Sequence, residues 1–279
     1  MAKESDETTE KKMGEYSNFT ISDGVATLTL NRPDKRNALK REFLVELNEA
    51  VQQVADDRSA RVFVLKAEGG VFCAGMDLAQ MQRRAEAENG AEEYQLDSQV
   101  YCDLLKGIYN LTIPTIAAVQ GPALAGGFGI VLACDMVVAS ESAFFMLPEP
   151  IRGITAAMVT PLLILRSGEG PATYMLLSNE RISTSQAANF GICHSVVSPS
   201  EFPERVQKLV DSVLSGSPEA LAVTKNHIGK CSGQCTVDGV PGLINMSILV
   251  SAQARETDDA REGLAAFLEK RKPRWQVAD

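Results

Sequence analysis

What the chain lacks narrows its function before any motif is read. Its basic residues form no concentrated stripe and the formal net charge is −9, which argues against a partner held by its phosphate backbone. Local basic pairs can still hold a small polyphosphate. No apolar segment follows the N-terminus: MAKESDETTEKKMGEYS is polar and charged, and residues 1–16 are expected to form a flexible leader. Cysteine is too sparse for a disulfide scaffold. The six (Cys73, Cys102, Cys134, Cys193, Cys231, Cys235) fall mostly inside apolar stretches, which fits a reducing, cytoplasmic compartment.

Several catalytic and binding signatures are also missing. GPALAGGF (121–128) has the glycine spacing of a phosphate loop, but Gly127 stands where the lysine belongs and Phe128 where the hydroxyl belongs. The glycines do not follow the dinucleotide-binding pattern. No G-x-S-x-G elbow occurs, and His194, beside Cys193, has no evident third partner for a hydrolase triad. His227, Cys231 and Cys235 recur every four residues, but a fourth ligand is absent and the neighbouring glycines argue against a continuous helix. No metal is expected. The uncharged run PTIAAVQGPALAGGFGIVLA (114–133) has the length of a membrane span, yet Gln120-Gly121-Pro122 and Gly126-Gly127 break it into a buried strand, a turn and a buried helix.

What is present is an alternation of strands and helices. At 279 residues and 45% hydrophobic content the chain can bury a large core. GVATLTL (24–30), RVFVLKA (61–67), TIAAVQG (115–121), MVVAS (136–140) and AFFML (143–147) are read as strands. Residues 40–57 place apolar side chains at 43, 44, 47, 51 and 54, the spacing of an amphipathic helix. YQLDSQVYCDLLKGIYN and GGFGIVLAC (126–134) are further helices, and this order predicts a largely parallel sheet. Beyond residue 200 the pattern is helical, over 201–215, 218–229 and 240–270. Apolar positions there (Leu221, Leu243, Ile244, Ile248, Leu249) would leave a large exposed patch, so burial between subunits of a trimer or a dimer of trimers is expected.

Two corners expose backbone at strand ends: Ala74-Gly75-Met76, and Leu124 to Gly127 at the start of a helix. A helix N-terminus offers unsatisfied N–H groups and a dipole that favours a negative oxygen. Two such groups converging would form an oxyanion hole. Glu149, between Pro148 and Pro150, is the candidate proton carrier.

NRPDKRNAL, FCAGMDL, GPALAGGFGIVLACDMVVAS and FMLPEPIRG, in that order, resemble the enoyl-CoA hydratase/isomerase (crotonase) superfamily. ERISTSQAANFGICHSVV (180–197) and LAAFLEKRKPRW (264–275) extend the resemblance, which covers about residues 17 to 275. It implies an α/β fold, a crotonase-like spiral of ββα units with a helical C-terminal trimerisation region. The implied division is a core over 17–200 and a helical oligomerisation region over 201–279. It also implies an acyl thioester substrate, carried on coenzyme A or on the pantetheine of an acyl carrier protein, and no prosthetic group.

Carried over by position, the backbone N–H groups of Met76 and Gly126 would be the oxyanion donors. Lys35, Arg36 and Ala38 would line pantetheine and phosphates, and Ala74, Asp77 and Leu78 would meet adenine through backbone groups. Phe267 and Lys270 match an adenine-stacking aromatic and a phosphate-pairing lysine supplied by a neighbouring subunit. One departure stands out. Hydratases of the family carry two glutamates, whereas this chain has Gly129 at the first position and keeps Glu149 at the second. A single carboxylate suits a proton shuttle, as in enoyl-CoA isomerases, hydroxycinnamoyl-CoA hydratase-lyases and the dehydratases of polyketide β-branching. Isomerase, hydratase or dehydratase, decarboxylase and lyase chemistry stay open, as does a catalytically silent binding scaffold.

Overall fold

The structure, a computed structural model, describes residues 11–12, 14–85, 87–233, 258–259, 262, 265–266 and 269–276. Two compact units divide the chain: Met1–Leu111 with Thr115–Val206, and Thr112–Pro114 with Gln207–Asp279.

The first unit holds the strands β1 (Lys11–Lys12), β2 (Ser17–Ser22), β3 (Val25–Leu30), β4 (Val62–Ala67), β5 (Thr115–Val119), β6 (Ala123–Leu124), β7 (Met136–Ser140), β8 (Phe144–Met146), β9 (Ile182–Ser183) and β10 (Ser195–Val197). Seven form a sheet in the order β1-β2-β3-β4-β5-β7-β10, and β6-β8-β9 form a second. From β3 to β10 the large sheet is parallel. Its strands are correspondingly apolar without a break: Val62, Phe63, Val64 and Leu65 are all buried, as are all five residues of β5.

The N-terminal edge departs from expectation. β2, too polar to announce itself, pairs antiparallel with β3. The turn between them is Asp23-Gly24, with φ 51° and 77°. A two-residue hairpin loop whose residues both take positive φ matches the twist of its strands, and Asp-Gly supplies it at least cost.

Helices cross between the strands. α1 (Arg41–Asp56) buries Phe43, Leu44, Leu47, Ala50, Val51 and Val54 on one face, each large side chain contributing about 1.5–3 kcal/mol by leaving water. α2 (Leu78–Ala85) was not legible in sequence, and α3 (Gly90–Asn110) begins four residues before Tyr94, the expected start. α4 (Gly126–Ala133) is buried along its whole length. Segment 114–133 is therefore a strand, a turn, the short strand β6 and a helix, and among the described residues no helix is long and apolar enough to cross a membrane. α5 (Thr160–Ser167), α6 (Glu169–Ser178) and α7 (Thr184–Asn189) follow, the last opened by a reciprocal capping box between Ser183 and Gln186.

α8 (Phe202–Leu214) leads into the second unit, where α9 (Pro218–Gly233) corrects one expectation: the helix runs unbroken through Gly229. Ser217 caps it, accepting from the Ala220 N–H (3.1 Å) and donating to Asp259 (2.7 Å). Cys231 Sγ lies 3.7 Å from His227 Nε2 one turn away. Cys235 lies outside the described residues, as do Leu243, Ile244, Ile248 and Leu249 and most of the helix expected over 240–270. Among the described residues no group of three or more His, Cys, Asp or Glu side chains could hold a metal ion.

Candidate active site

The site is built where three neighbouring parallel strands end, the usual place for a site in such a sheet. The loops after β3, β4 and β5 are bonded into one body. Asn37, fully buried with φ 53°, is the clasp between the first two: its side-chain N–H groups donate to Glu68 O and Val71 O (both 2.9 Å), and its Oδ1 accepts from Arg32 N (2.8 Å). The Ala74 N–H donates to Arg36 O (3.0 Å) and the Leu39 N–H to Gly75 O (2.8 Å). Pro122 O accepts from Phe72 N (3.0 Å) and Cys73 N (3.2 Å), and Cys73 O from Leu124 N (2.9 Å).

This lacing brings the two corners together. A Cβ on Gly75 would stand 2.7 Å from Ala125 Cβ and 3.3 Å from Gly126 N, and the residue has φ +86°, so position 75 admits only glycine on both grounds. A Cβ on Gly127 would stand 2.6 Å from Cys73 Cβ, which shows how closely α4 sits on the first corner. Ala125, between them, has φ 51° and ψ −128°, a conformation that costs an L residue about 1–3 kcal/mol. It is held there by its N–H donating to Met146 O (3.0 Å). Neither the Met76 N–H nor the Gly126 N–H donates to any group among the described residues.

Met76, Ala125 and Gly126 help to line a cavity of about 220 Å³, together with Tyr101, Glu149 and the 154–159 segment among others. Glu149 is only 7% exposed, and its Oε2 has no hydrogen-bond partner among the described residues. Burial raises its pKa above the ordinary 4.5, and its own backbone N–H and the Arg152 charge offset only part of that. Its place is set locally: its carbonyl accepts from Arg152 N (2.9 Å) and Ile154 N (3.2 Å), closing the 3-10 turn Pro150–Arg152. The second carboxylate in the lining, Asp97, is engaged by Arg41 (2.7 Å) and by Arg84. Glu149 is the carboxylate left free to take a proton.

Other nucleophiles are silent. Burial pushes the Cys73 thiol up to about 12. His194 accepts from Val137 N (3.0 Å) through Nδ1, and burial lowers its pKa, so it is a neutral structural side chain.

The remaining residues singled out in sequence fall as follows. Lys35 and Arg36 are exposed on a loop whose Arg36 carbonyl is bonded to Ala74, and Ala38 is half-buried with its carbonyl accepting from Arg32 (2.8 Å). Asp77 uses Oδ1 to cap α2 at Ala79 N (3.1 Å) and Gln80 N (3.2 Å), and Oδ2 to pair with Arg32 (2.9 Å). Its N–H donates to Leu39 O (2.8 Å). With their N–H groups thus engaged, the backbone atoms that Ala74 and Asp77 can present to a ligand are their carbonyl oxygens. Leu78 is 50% exposed at the cavity lining. Lys270, in the second unit, is exposed with φ 56°, and Phe267 lies outside the described residues. Sequence reading missed Asn37 and Tyr101. An asparagine inside NRPDKRNAL is a signal for a left-handed backbone, whereas Tyr101 reads as an ordinary apolar helix position.

Comparison with known proteins gives the chain a family and a fold. Residues 20–278 match the family described as enoyl-CoA hydratase/isomerase. Enoyl-CoA hydratase domain-containing protein 2, mitochondrial, from Bos taurus is 36% identical over 258 residues, spanning 90% of this chain and 84% of that protein. Carnitinyl-CoA dehydratase of Proteus mirabilis is 31% identical over 267 residues, 95% of this chain and 99% of that one. The crystal structure of enoyl-CoA hydratase from Mycobacterium smegmatis superposes with a TM-score of 0.86 at 31% identity, covering 95% of this chain and 100% of that one. The chain belongs to the enoyl-CoA hydratase/isomerase family and has its crotonase fold.

Proposed function

We propose that the protein is an enzyme that binds an acyl thioester, holds its carbonyl oxygen between the Met76 and Gly126 N–H groups, and moves a proton with Glu149. The observation that carries this is the pairing of Glu149, buried with an unpartnered oxygen, with two uncommitted N–H groups across one small cavity. Proton loss from the carbon next to a thioester carbonyl puts negative charge on the carbonyl oxygen. Each well-aimed N–H there lowers the barrier by about 3–4 kcal/mol. Glu149, its pKa raised by burial, is a stronger base than an exposed glutamate, and its acid form still protonates the far more basic enolate carbon.

One free carboxylate favours a shuttle: Glu149 takes a proton from the carbon next to the carbonyl, and returns it to a carbon further along the conjugated enolate. Double-bond isomerisation is the reading of first choice, with dehydration or hydration on the same residues next. Decarboxylation, and retro-aldol lysis as in hydratase-lyases, run through the same enolate. Coenzyme A is the carrier the family favours, and the loop at Lys35, Arg36 and Ala38 with the edge at Ala74, Asp77 and Leu78 is its proposed seat. An acyl carrier protein would present the same pantetheine. A neighbouring subunit's Phe267 and Lys270 complete the seat in a trimer or hexamer, with 17–200 as core and 201–279 as the assembling region. Light scattering that reads a stable, fully active monomer overturns that assembly.

Exchange of the α-hydrogens of a CoA thioester with deuterated water, followed by NMR, tests the chemistry without knowledge of the acyl group. Glu149→Gln should slow exchange by about 10²–10⁴-fold with thioester affinity nearly unchanged. Exchange at the wild-type rate in that variant removes Glu149 from the mechanism.

A further inference from the structure

Position 129, where a two-glutamate site would carry its first carboxylate, holds no side chain, and the space is taken by another residue. A Cβ built on Gly129 would stand 2.2 Å from Tyr101 Oη and 2.9 Å from Val159 Cγ2. Tyr101 reaches there from α3, is 2% exposed, and donates its hydroxyl hydrogen to Gly126 O at 2.7 Å. Its ring lies under the same turn, since a Cβ on Gly126 would be 3.3 Å from both Cζ and Oη.

We propose that Tyr101 is the positioning residue of the Gly126 corner, and that its hydroxyl commits the cavity to a single carboxylate by occupying the place of a side chain at 129. The proposal deepens the enolate reading given above and rests on it. The peptide plane that carries the Gly126 N–H is clamped on both sides. Behind it the Ala125 N–H is tied to Met146 O (3.0 Å), and ahead of it the Gly126 carbonyl is tied to Tyr101. The plane itself is held by the Ala125 carbonyl, which accepts from Phe128 N (3.0 Å) and Gly129 N (3.2 Å), and the Tyr101 bond fixes the next peptide across a glycine whose own rotation no side chain restricts. An oxyanion donor is effective only when it is aimed before charge develops.

The hydroxyl is suited to hold a carbonyl. Burial, with Cys73 and the Glu149 carboxylate close enough to oppose a second negative charge, keeps Tyr101 protonated well above its ordinary range. It is therefore a donor at neutral pH. The exclusion is steric and mutual. A glutamate at 129 needs the volume that Tyr101 and Val159 fill, so water cannot be held by a pair of carboxylates while Tyr101 stands. Gly129 is accordingly the partner of Tyr101, and the two form one structural choice.

The test uses the full-length protein and 2,4-hexadienoyl-CoA, a conjugated thioester whose absorbance band moves to the red when its carbonyl is polarised. Tyr101→Phe keeps the ring and removes the bond to Gly126. It should shrink the red shift of bound hexadienoyl-CoA and, with a saturated acyl-CoA whose sp3 α-carbon carries exchangeable hydrogens, lower α-hydrogen exchange by about tenfold, the scale of one hydrogen bond, with thioester affinity nearly unchanged. A merely structural tyrosine would lower the melting temperature and leave the band of the bound ligand where it was. A second pair of variants reads the exclusion. Gly129→Glu alone should lose folded protein, and Tyr101→Ala/Gly129→Glu should recover it. Tyr101→Phe with an unchanged shift and exchange rate overturns the positioning role. Equal stability of Gly129→Glu with and without Tyr101 overturns the exclusion. Should Glu149→Gln exchange hydrogens as fast as wild type, the proton-transfer reading falls, while loss of the red shift in Tyr101→Phe still supports the clamp. A wild type that binds the thioester without a shift removes both.

Discussion

The two walls of the cavity are made differently. The corner at 73–76 and 124–127 is backbone bonded to backbone, packed so closely that Gly75 and Gly127 leave no room for a Cβ. The segment after Glu149 is loose by comparison. Ile151, Ile154 and Met158 are 66%, 40% and 36% exposed, and the turn is closed by a few hydrogen bonds within itself. The contrast separates two tasks. Stabilising an enolate needs fixed dipoles and is indifferent to the acyl group, while fitting an acyl group needs side chains that can vary without moving the dipoles. A fold that keeps the first wall and redraws the second can serve many reactions.

Breaking the rigid wall should have the larger consequence. Gly126→Pro deletes one of the two donors and cannot keep the local backbone. Turnover on any accepted thioester should fall by about 10²–10³-fold, the scale of one lost oxyanion donor. Circular dichroism should show a folded chain, because the change is confined to the first turn of α4, where Gly126 donates to no backbone carbonyl among the described residues. A folded Gly126→Pro with the wild-type rate would falsify the assignment of that N–H.

Changing the variable wall should alter choice more than rate. Ile154→Ala and Met158→Ala each remove apolar atoms from the lining without touching the corner. Because both side chains are partly exposed, the effect should stay below the cost of a fully buried methylene group pair. The ratio of kcat/KM for longer over shorter acyl-CoA thioesters should rise by up to about tenfold. If that ratio stays fixed while kcat falls for every chain length, the 154–159 segment belongs with the catalytic wall and the division fails.

The same contrast explains what could be read without coordinates. Strand runs such as Val62–Leu65 and Thr115–Val119 declare themselves because a strand buried on both faces must be apolar throughout. The face of α1 declares itself by its spacing, and the two corners by their glycines. Ser17–Ser22 did not, since four of its six residues are polar and its partner is supplied by a hairpin turn. The helix expected over 218–229 runs on to Gly233, because glycine lowers helix propensity by only about 1 kcal/mol, which a sixteen-residue helix can absorb. Within the site, Met76, Gly126 and Glu149 lie on short motifs. Tyr101 comes 25 residues before Gly126 on another element, and only the packing of α3 on α4 brings them together. Residues that act through distant neighbours leave no local pattern.

The smallest expected effect concerns stability, and it links the two walls to one residue. Glu149 has a raised pKa in the folded state, because burial opposes its charge and nothing among the described residues bonds its Oε2. A group of this kind binds its proton more tightly folded than unfolded, so its contribution to stability is fully present below the unfolded value near 4.5 and is lost as pH rises through the folded value. Above the folded value the native protein carries a buried charge that the unfolded chain would solvate. Glu149→Gln keeps the shape and removes that charge. Its unfolding midpoint should exceed that of the wild type at pH 8, and the difference should shrink as pH falls and vanish below about pH 4. Matched urea or thermal unfolding series across that range give the comparison. A variant less stable than wild type at pH 8 would mean that the carboxylate is held by favourable bonds, and that it is part of the rigid wall instead of a proton carrier facing an apolar space.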